Sequence, residues 1–190
     1  MAGTPMVADP EWDDLVDRLA VYDLAYLTGG SAWDGHPSPY HTSGDVPVLE
    51  LVTDLAQSPH GRMRNALVAL LFRHPELATS TLAAAGQLVG DERARLRIRS
   101  SVLAAAALHM RWRFVLDIYL PGQPGIAADD LAQELGAPSP REEYGRACLS
   151  ALADVLREGQ TFPFAYEREW HDAADHVLES LRAEARARPT

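Results

Sequence analysis

The densest group of side chains able to do acid–base or metal chemistry is His171-Asp172-Ala173-Ala174-Asp175-His176, flanked by Glu167 and Glu179. On a helix His171, Asp175 and Glu179 share one face and Asp172 and His176 another, so two small carboxylate–imidazole pairs are in register. Imidazoles and carboxylates ligate transition metals, which makes His171, Asp172, Asp175 and His176 the metal candidates of this chain. One helix cannot complete such a site, because further ligands have to come from its neighbours. The expected reading is a solvated helix face that holds no metal and no cofactor. A second acidic group, Asp13-Asp14-Leu15-Val16-Asp17, has a carboxylate spacing able to hold magnesium. It falls in the first turn of a predicted helix, where the helix dipole favours acids in any case.

Other chemistries meet missing parts. The His171-Asp172 pair resembles the dyad of the all-α His-Asp phosphohydrolases, but that family also needs an earlier His and a further Asp well downstream, and Thr190 ends the chain soon after His176. His-Glu-x-x-His is absent. Gly29-Gly30-Ser31 lacks the second glycine and the Lys of a phosphate loop. There is no lysine anywhere, so all 17 basic residues are Arg and lysine Schiff-base chemistry is excluded. The single Cys148, in RACLSAL, falls on an apolar helical face and reads as a buried structural thiol. No catalytic residue is predicted. A helical metal-dependent hydrolase using His171, Asp172 and His176 is the alternative.

The elements that would position these groups are helical throughout. Val48, Leu51, Val52 and Leu55 have the i, i+3, i+4, i+7 spacing of a half-buried helix. Ser58-Pro59-His60-Gly61 stops it, and a second helix runs from Arg62 until Pro75 breaks it at His74. In that helix Ala66, Leu67, Leu70 and Leu71 read as inward, with Arg62, Asn65 and Arg73 left for a wetter side. Two helices joined by so short a turn pack antiparallel. A fainter copy follows: setting Arg62 on Arg97 brings Arg64 onto Arg99, Leu67 onto Val102 and His74 onto His109. Helix pairs at such a period suggest a HEAT-like stack.

Further helices are predicted over 11–27, 76–89, 92–120, 127–135, 141–157 and 165–186. The fold expected is all-α, an irregular or HEAT-like bundle of seven or eight helices in one domain, with helix exceeding half of all residues. Residues 1–9 are expected to be loose and 187–190 frayed. Arg93, Arg95, Arg97 and Arg99 alternate, so they cannot share one helical face, and pairing with nearby acids is expected of them rather than contact with a phosphate backbone.

Composition limits the partners. A net charge of −10 argues against non-specific binding to nucleic acid and against an anionic membrane surface, and permits a basic protein partner. No apolar run reaches the roughly 18 residues of a membrane span and no signal-like N-terminus is seen, so a cytoplasmic location is expected. The segment 28–45 is too rich in Gly and Pro for regular structure, and it carries Trp33, His36, Tyr40 and His41, residues with which to grip a surface. Together with Asp13 and Asp14 these are the predicted partner-binding residues.

The run from Asp54 to Leu67, DLAQSPHGRMRNAL, closing in Arg73-His74-Pro75-Glu76, resembles a segment of small helical bacterial proteins encoded beside nucleotidyltransferases of the abortive-infection type. That resemblance implies an antitoxin-like role: neutralising a nucleotidyltransferase toxin by direct binding. The acidity suits it, since an enzyme that binds RNA presents a basic groove. The function expected is therefore non-catalytic protein binding, with a general helical scaffold as the alternative beside the hydrolase.

Overall fold

The computed structural model describes residues 10–24, 47–157 and 165–187 and is 79% helical, with no strand among the described residues. The eight α-helices among the described residues are α1 (Pro10–Ala20), α2 (Val48–Gln57), α3 (Gly61–Arg73), α4 (Ala78–Gln87), α5 (Glu92–Tyr119), α6 (Asp129–Glu134), α7 (Arg146–Arg157) and α8 (Tyr166–Ala187). Short 3-10 turns at Pro75–Leu77 and Glu142–Gly145 lead into α4 and α7.

The architecture follows from two helices that have no wet side in the core. In α3 every residue from Ala66 to Arg73 is buried, and in α5 the same holds from Ser100 to His109. A helix apolar on all faces must be surrounded. Here α3 and α5 lie against each other; α2 and α4 pack on one side, α8 runs along α3, and α7 with the Glu142–Gly145 turn runs along α5. The four alanines Ala104–Ala107 make this crowding possible, because small side chains let neighbouring backbones approach, and each is at most 1% exposed. Leu51, Leu55, Leu67, Leu70, Leu71, Phe72 and Leu103 fill the space between. Each such side chain contributes about 2 kcal/mol by leaving water.

The two hairpins α2–α3 and α4–α5 stand side by side, α2 on α4 and α3 on α5. The histidines that the sequence aligns make matching contacts. His74 Nε2 lies 3.2 Å from the carbonyl of Tyr22 and its ring packs edge-on against the Tyr22 ring; His109 Nε2 lies 2.9 Å from the carbonyl of Phe72 and its ring packs edge-on against Phe72. Within the described residues this stack is two units deep, since α8 covers α3 and α7 covers α5. Among the described residues no further HEAT-like unit extends it.

Two boundaries and one side chain differ from the sequence expectation. The first helix ends at Ala20 rather than at residue 27, because the chain turns through Asp23 at a φ of 58° and buries Leu24. The helix expected over 141–157 begins instead at Arg146, after a left-handed turn. Arg73, assigned to a wet side, is 8% exposed and ion-paired inside the protein. Cys148 is buried as expected, and burial pushes its thiol pKa up to about 12, so it is protonated at neutral pH.

His109 gives the fold a pH dependence. Its Nε2 faces a carbonyl, which can only accept, so Nε2 carries the proton and donates to Phe72. Burial lowers the pKa of the ring below its ordinary 6.5. The unfolded chain therefore takes up this proton first as pH falls. The stability contributed by the neutral ring is full above about pH 6.5 and is lost progressively below it, until the folded pKa is reached. Urea unfolding is expected to show a steeper loss between about pH 7 and pH 5 in the wild type than in His109→Gln, by at most about 1.4 kcal/mol per pH unit. Glutamine keeps the donor and removes the titration, so equal slopes would show that His109 carries no such linkage.

Candidate protein-binding face

Beyond His109, α5 leaves the core and keeps apolar residues on both sides. Trp112, Val115 and Tyr119 lie inward, packed against the core at i, i+3 and i+7. On the opposite side Phe114 is 64% exposed and Ile118 is 73% exposed, one turn apart. Single exposed apolar residues are ordinary, but these have a third neighbour. Tyr144, 59% exposed, belongs to the turn packed along α5, and Arg113 joins it to Phe114: the Arg113 guanidinium carbon lies 4.4 Å from the Phe114 ring centre and 5.8 Å from that of Tyr144. Cation–π contacts at such distances hold two exposed rings in a defined arrangement.

The turn that presents Tyr144 is unusual in its backbone. Glu143, Tyr144 and Gly145 have φ values of 45°, 55° and 81°, three left-handed residues in succession. For a residue with a Cβ this conformation costs about 1–2 kcal/mol. Strain of this kind persists only where the surroundings enforce it. The enforcing contact is at Gly145, whose backbone lies so close to the carbonyl of Ala107 that a Cβ there would sit 2.1 Å from the oxygen. Arg146 Nε, 3.5 Å from the Glu143 carboxylate, braces the turn from the other side.

The face is nearly balanced in charge. Arg111, Arg113 and Arg146 stand around it with Asp117, Glu142 and Glu143, all exposed. An apolar and aromatic centre with a mixed polar rim has the composition of a protein-recognition site, in which Phe, Tyr and Arg are enriched.

The histidine cluster lies nearby on α8 without gathering into a site. His171 is half-buried, and burial, then the Arg111 charge, lowers its pKa against the opposing pull of Asp175, Glu167 and Asp172. The Asp172 carboxylate lies 3.6 Å from Arg168 Nε, whereas His176 Nδ1 meets the main-chain carbonyl of Asp172 at 2.6 Å. Glu169 accepts from Asn65 Nδ2 at 3.0 Å. Among the described residues no three His, Cys, Asp or Glu side chains come together in a group able to hold a metal.

Of the predicted partner-binding residues, Trp33, His36, Tyr40 and His41 lie outside the described residues, as does the side chain of Asp13. Asp14 is exposed on α1 and accepts from Arg18 at 3.4 Å, while the same Arg18 nitrogen donates to Asp54 on α2 at 2.6 Å. Phe114, Ile118 and Tyr144 were missed by the sequence reading. An aromatic and an isoleucine one turn apart, opposite an apolar stripe on the same helix, were the signal that was available. No described helix is long and apolar enough to cross a membrane. No family of known proteins, no curated protein and no solved structure matches this chain.

Proposed function

We propose that this protein acts without catalysis, by binding another protein through the face formed by Phe114, Ile118, Tyr144 and Arg113. The single observation that carries the reading is the strained turn: the fold holds three left-handed residues in place and thereby sets an exposed tyrosine beside an exposed Phe–Arg pair. A merely solvated surface has no need of such a device.

The resemblance of the α2–α3 hairpin supplies the occupant, a nucleotidyltransferase of the abortive-infection type, which this chain would neutralise as an antitoxin does. Charge complementarity supports that choice. The net charge of −10 steers the chain toward a basic, RNA-binding surface, and the balanced aromatic centre then provides the short-range energy.

Co-expression with such a nucleotidyltransferase is expected to relieve its toxicity through a complex that survives gel filtration. Phe114→Ala should weaken that complex by roughly 2 kcal/mol, about thirtyfold in Kd, because anchors of this type carry most of an interface's energy. Since Phe114 is mostly exposed, its melting temperature should stay within about 2 °C of wild type. Binding that is unaffected by Phe114→Ala and Tyr144→Ala would remove this face from the function, and the absence of any complex at micromolar concentration would remove the antitoxin role.

A further inference from the structure

Two grooves flank the first half of α5, and they use their arginines differently. The one between α4, α5 and α6, about 630 Å³, holds Arg95 and Arg99 beside Asp129, Asp130 and Glu134. Its arginines are neutralised, Arg95 by Glu92 and Arg99 by Glu134. This is the pairing that the sequence led us to expect for the whole Arg93–Arg99 series.

The other groove, about 530 Å³, breaks that expectation. It lies where the α2–α3 turn meets the first turns of α5 and is lined by Ser58, Pro59, Arg64, Asp91, Arg93 and Arg97. Three guanidinium groups here meet one carboxylate, Asp91, whose hydrogen bonds come from the Ala94 N–H at 2.9 Å, capping α5, and from Gln57 Nε2 at 3.2 Å, while its single charge is shared between Arg93 and Arg97. No ion pair to Arg64, Arg93 or Arg97 is formed among the described residues. Arg64 Nη1 instead donates to the carbonyls of Ser58 and Pro59, at 3.1 and 2.6 Å, and Arg97 Nη1 to that of Ala56 at 2.8 Å. These main-chain bonds fix the two guanidinium groups in position without neutralising them. At Arg97 burial, then the like charges of Arg64 and Arg93, lowers the pKa against the opposing pull of Tyr166 and Asp91.

We propose that this groove binds a phosphate-bearing small molecule, with its phosphoryl group seated among Arg64, Arg93 and Arg97. Planar guanidinium groups match phosphate oxygens two at a time, and prepositioned ones lose little freedom in doing so. Arg93 lies in the first turn of the 28-residue α5, where the helix dipole also favours an anion. The groove's volume is in the range of small-ligand sites, roughly 300–1,000 Å³, which leaves room for more than a bare phosphate. An extended nucleic acid fits less well, since the −10 charge of the whole chain repels a polyanion beyond this local patch. This groove and the Phe114 face occupy opposite ends of α5, so the inference stands apart from the protein-binding reading.

Titration calorimetry and thermal melting, with inorganic phosphate and AMP as probes and sodium chloride matching the ionic strength, test it. Both probes are expected to bind saturably and to raise the melting temperature by a few degrees at about 10 mM, by mass action on the folded state. Tighter binding of AMP than of phosphate would identify a nucleotide-like ligand, and equal binding a phosphate group recognised by itself. Arg93→Gln, which breaks no hydrogen bond or ion pair among the described residues, should fold normally and weaken phosphate binding roughly tenfold or more. Arg99→Gln, in the neutralised groove, should leave phosphate binding within about twofold. No saturable binding of either probe, equal binding of AMP and adenosine, or undiminished binding by Arg93→Gln would each overturn the proposal.

Discussion

Replacing Gly145 with alanine is expected to be among the most damaging single changes in this protein, costing roughly 4 kcal/mol or more. Two effects add. The φ of 81° is left-handed, which costs a residue with a Cβ about 1–2 kcal/mol. The new Cβ would also meet the Ala107 carbonyl oxygen at 2.1 Å, its carbon at 2.7 Å and the Ala107 Cα at 2.9 Å. These are backbone atoms in the middle of α5, where the helix is buried on all sides, so neither partner can give way cheaply. Gly122→Ala is the matched control, since its φ is 78° and a Cβ there meets nothing within 4 Å. That variant should lose only the backbone cost. For a chain of this size the Gly145→Ala melting temperature is expected to fall by about 8–16 °C, against about 2–8 °C for Gly122→Ala. Equal losses would mean that the turn and α5 do not touch as described. The same change should disturb the Phe114–Arg113–Tyr144 arrangement, so binding to a partner ought to fall even in the fraction that remains folded.

The pattern of side chains carried the helices because apolar periodicity is a local signal. Leu51, Val52 and Leu55 on α2, and Trp170, Ala174, Val177, Leu178 and Leu181 on α8, are buried as their spacing indicates. The N-cap of α5 is local in the same sense, Asp91 accepting from the Ala94 N–H through its side chain. What could not be read is whatever depends on a distant partner. Gly145 follows Pro138 and Pro140 by a few residues and looks like one more loop glycine; only the approach of Ala107, far away in sequence, makes it essential. The first helix stops at Ala20 although Tyr22 and Tyr26 continue its apolar pattern, because burial of Leu24 after the Asp23 turn wins over one more helical turn.

The candidate functional residues divide in the same way. His171 to His176 attracted attention because ligand-type residues recur at helical spacing, yet the structure spreads their contacts over Arg168, the Asp172 carbonyl and the Arg111 charge. The Arg93–Arg99 series shows how far charge spacing reaches. It established that the arginines diverge onto two sides of α5, and pairing with acids then proved true of Arg95 and Arg99 alone. Which side meets acids and which meets other arginines depends on α6 and on the α2–α3 turn, and neither can be placed from the local pattern.

Arg73 is the strongest case of a residue whose role reverses on folding, and it supports the second large expected effect. It closes α3 at the surface end of an apolar helix, where a free arginine would reach into water. Instead its side chain is 9% exposed, and Nη2 lies 3.0 and 2.9 Å from the two oxygens of Glu184 on α8, with Asp23 at 3.5 Å. Ser180 donates to the same Glu184 at 3.2 Å, and Gln123 Nε2 donates to the Arg73 carbonyl at 2.9 Å. One arginine thus joins the turn after α1, the end of α3, the loop after α5 and the last helix. Removing one partner from a buried pair leaves a charge without compensation, at about 3–5 kcal/mol when burial is complete. Glu184→Ala leaves the buried guanidinium only the long contact to Asp23, so about 3 kcal/mol is expected, or a fall of roughly 6–12 °C in melting temperature. Arg73→Met leaves the carboxylate of Glu184, 36% exposed, able to turn toward water, and fills the same channel with an apolar chain. It should cost about half as much or less. Combining the two should cost clearly less than their sum, because once the arginine is gone the carboxylate has nothing left to neutralise. Additive losses in that double-mutant cycle would mean that the Arg73–Glu184 pair carries no coupling, and that α8 is held to α3 by its apolar face and the Asn65–Glu169 hydrogen bond.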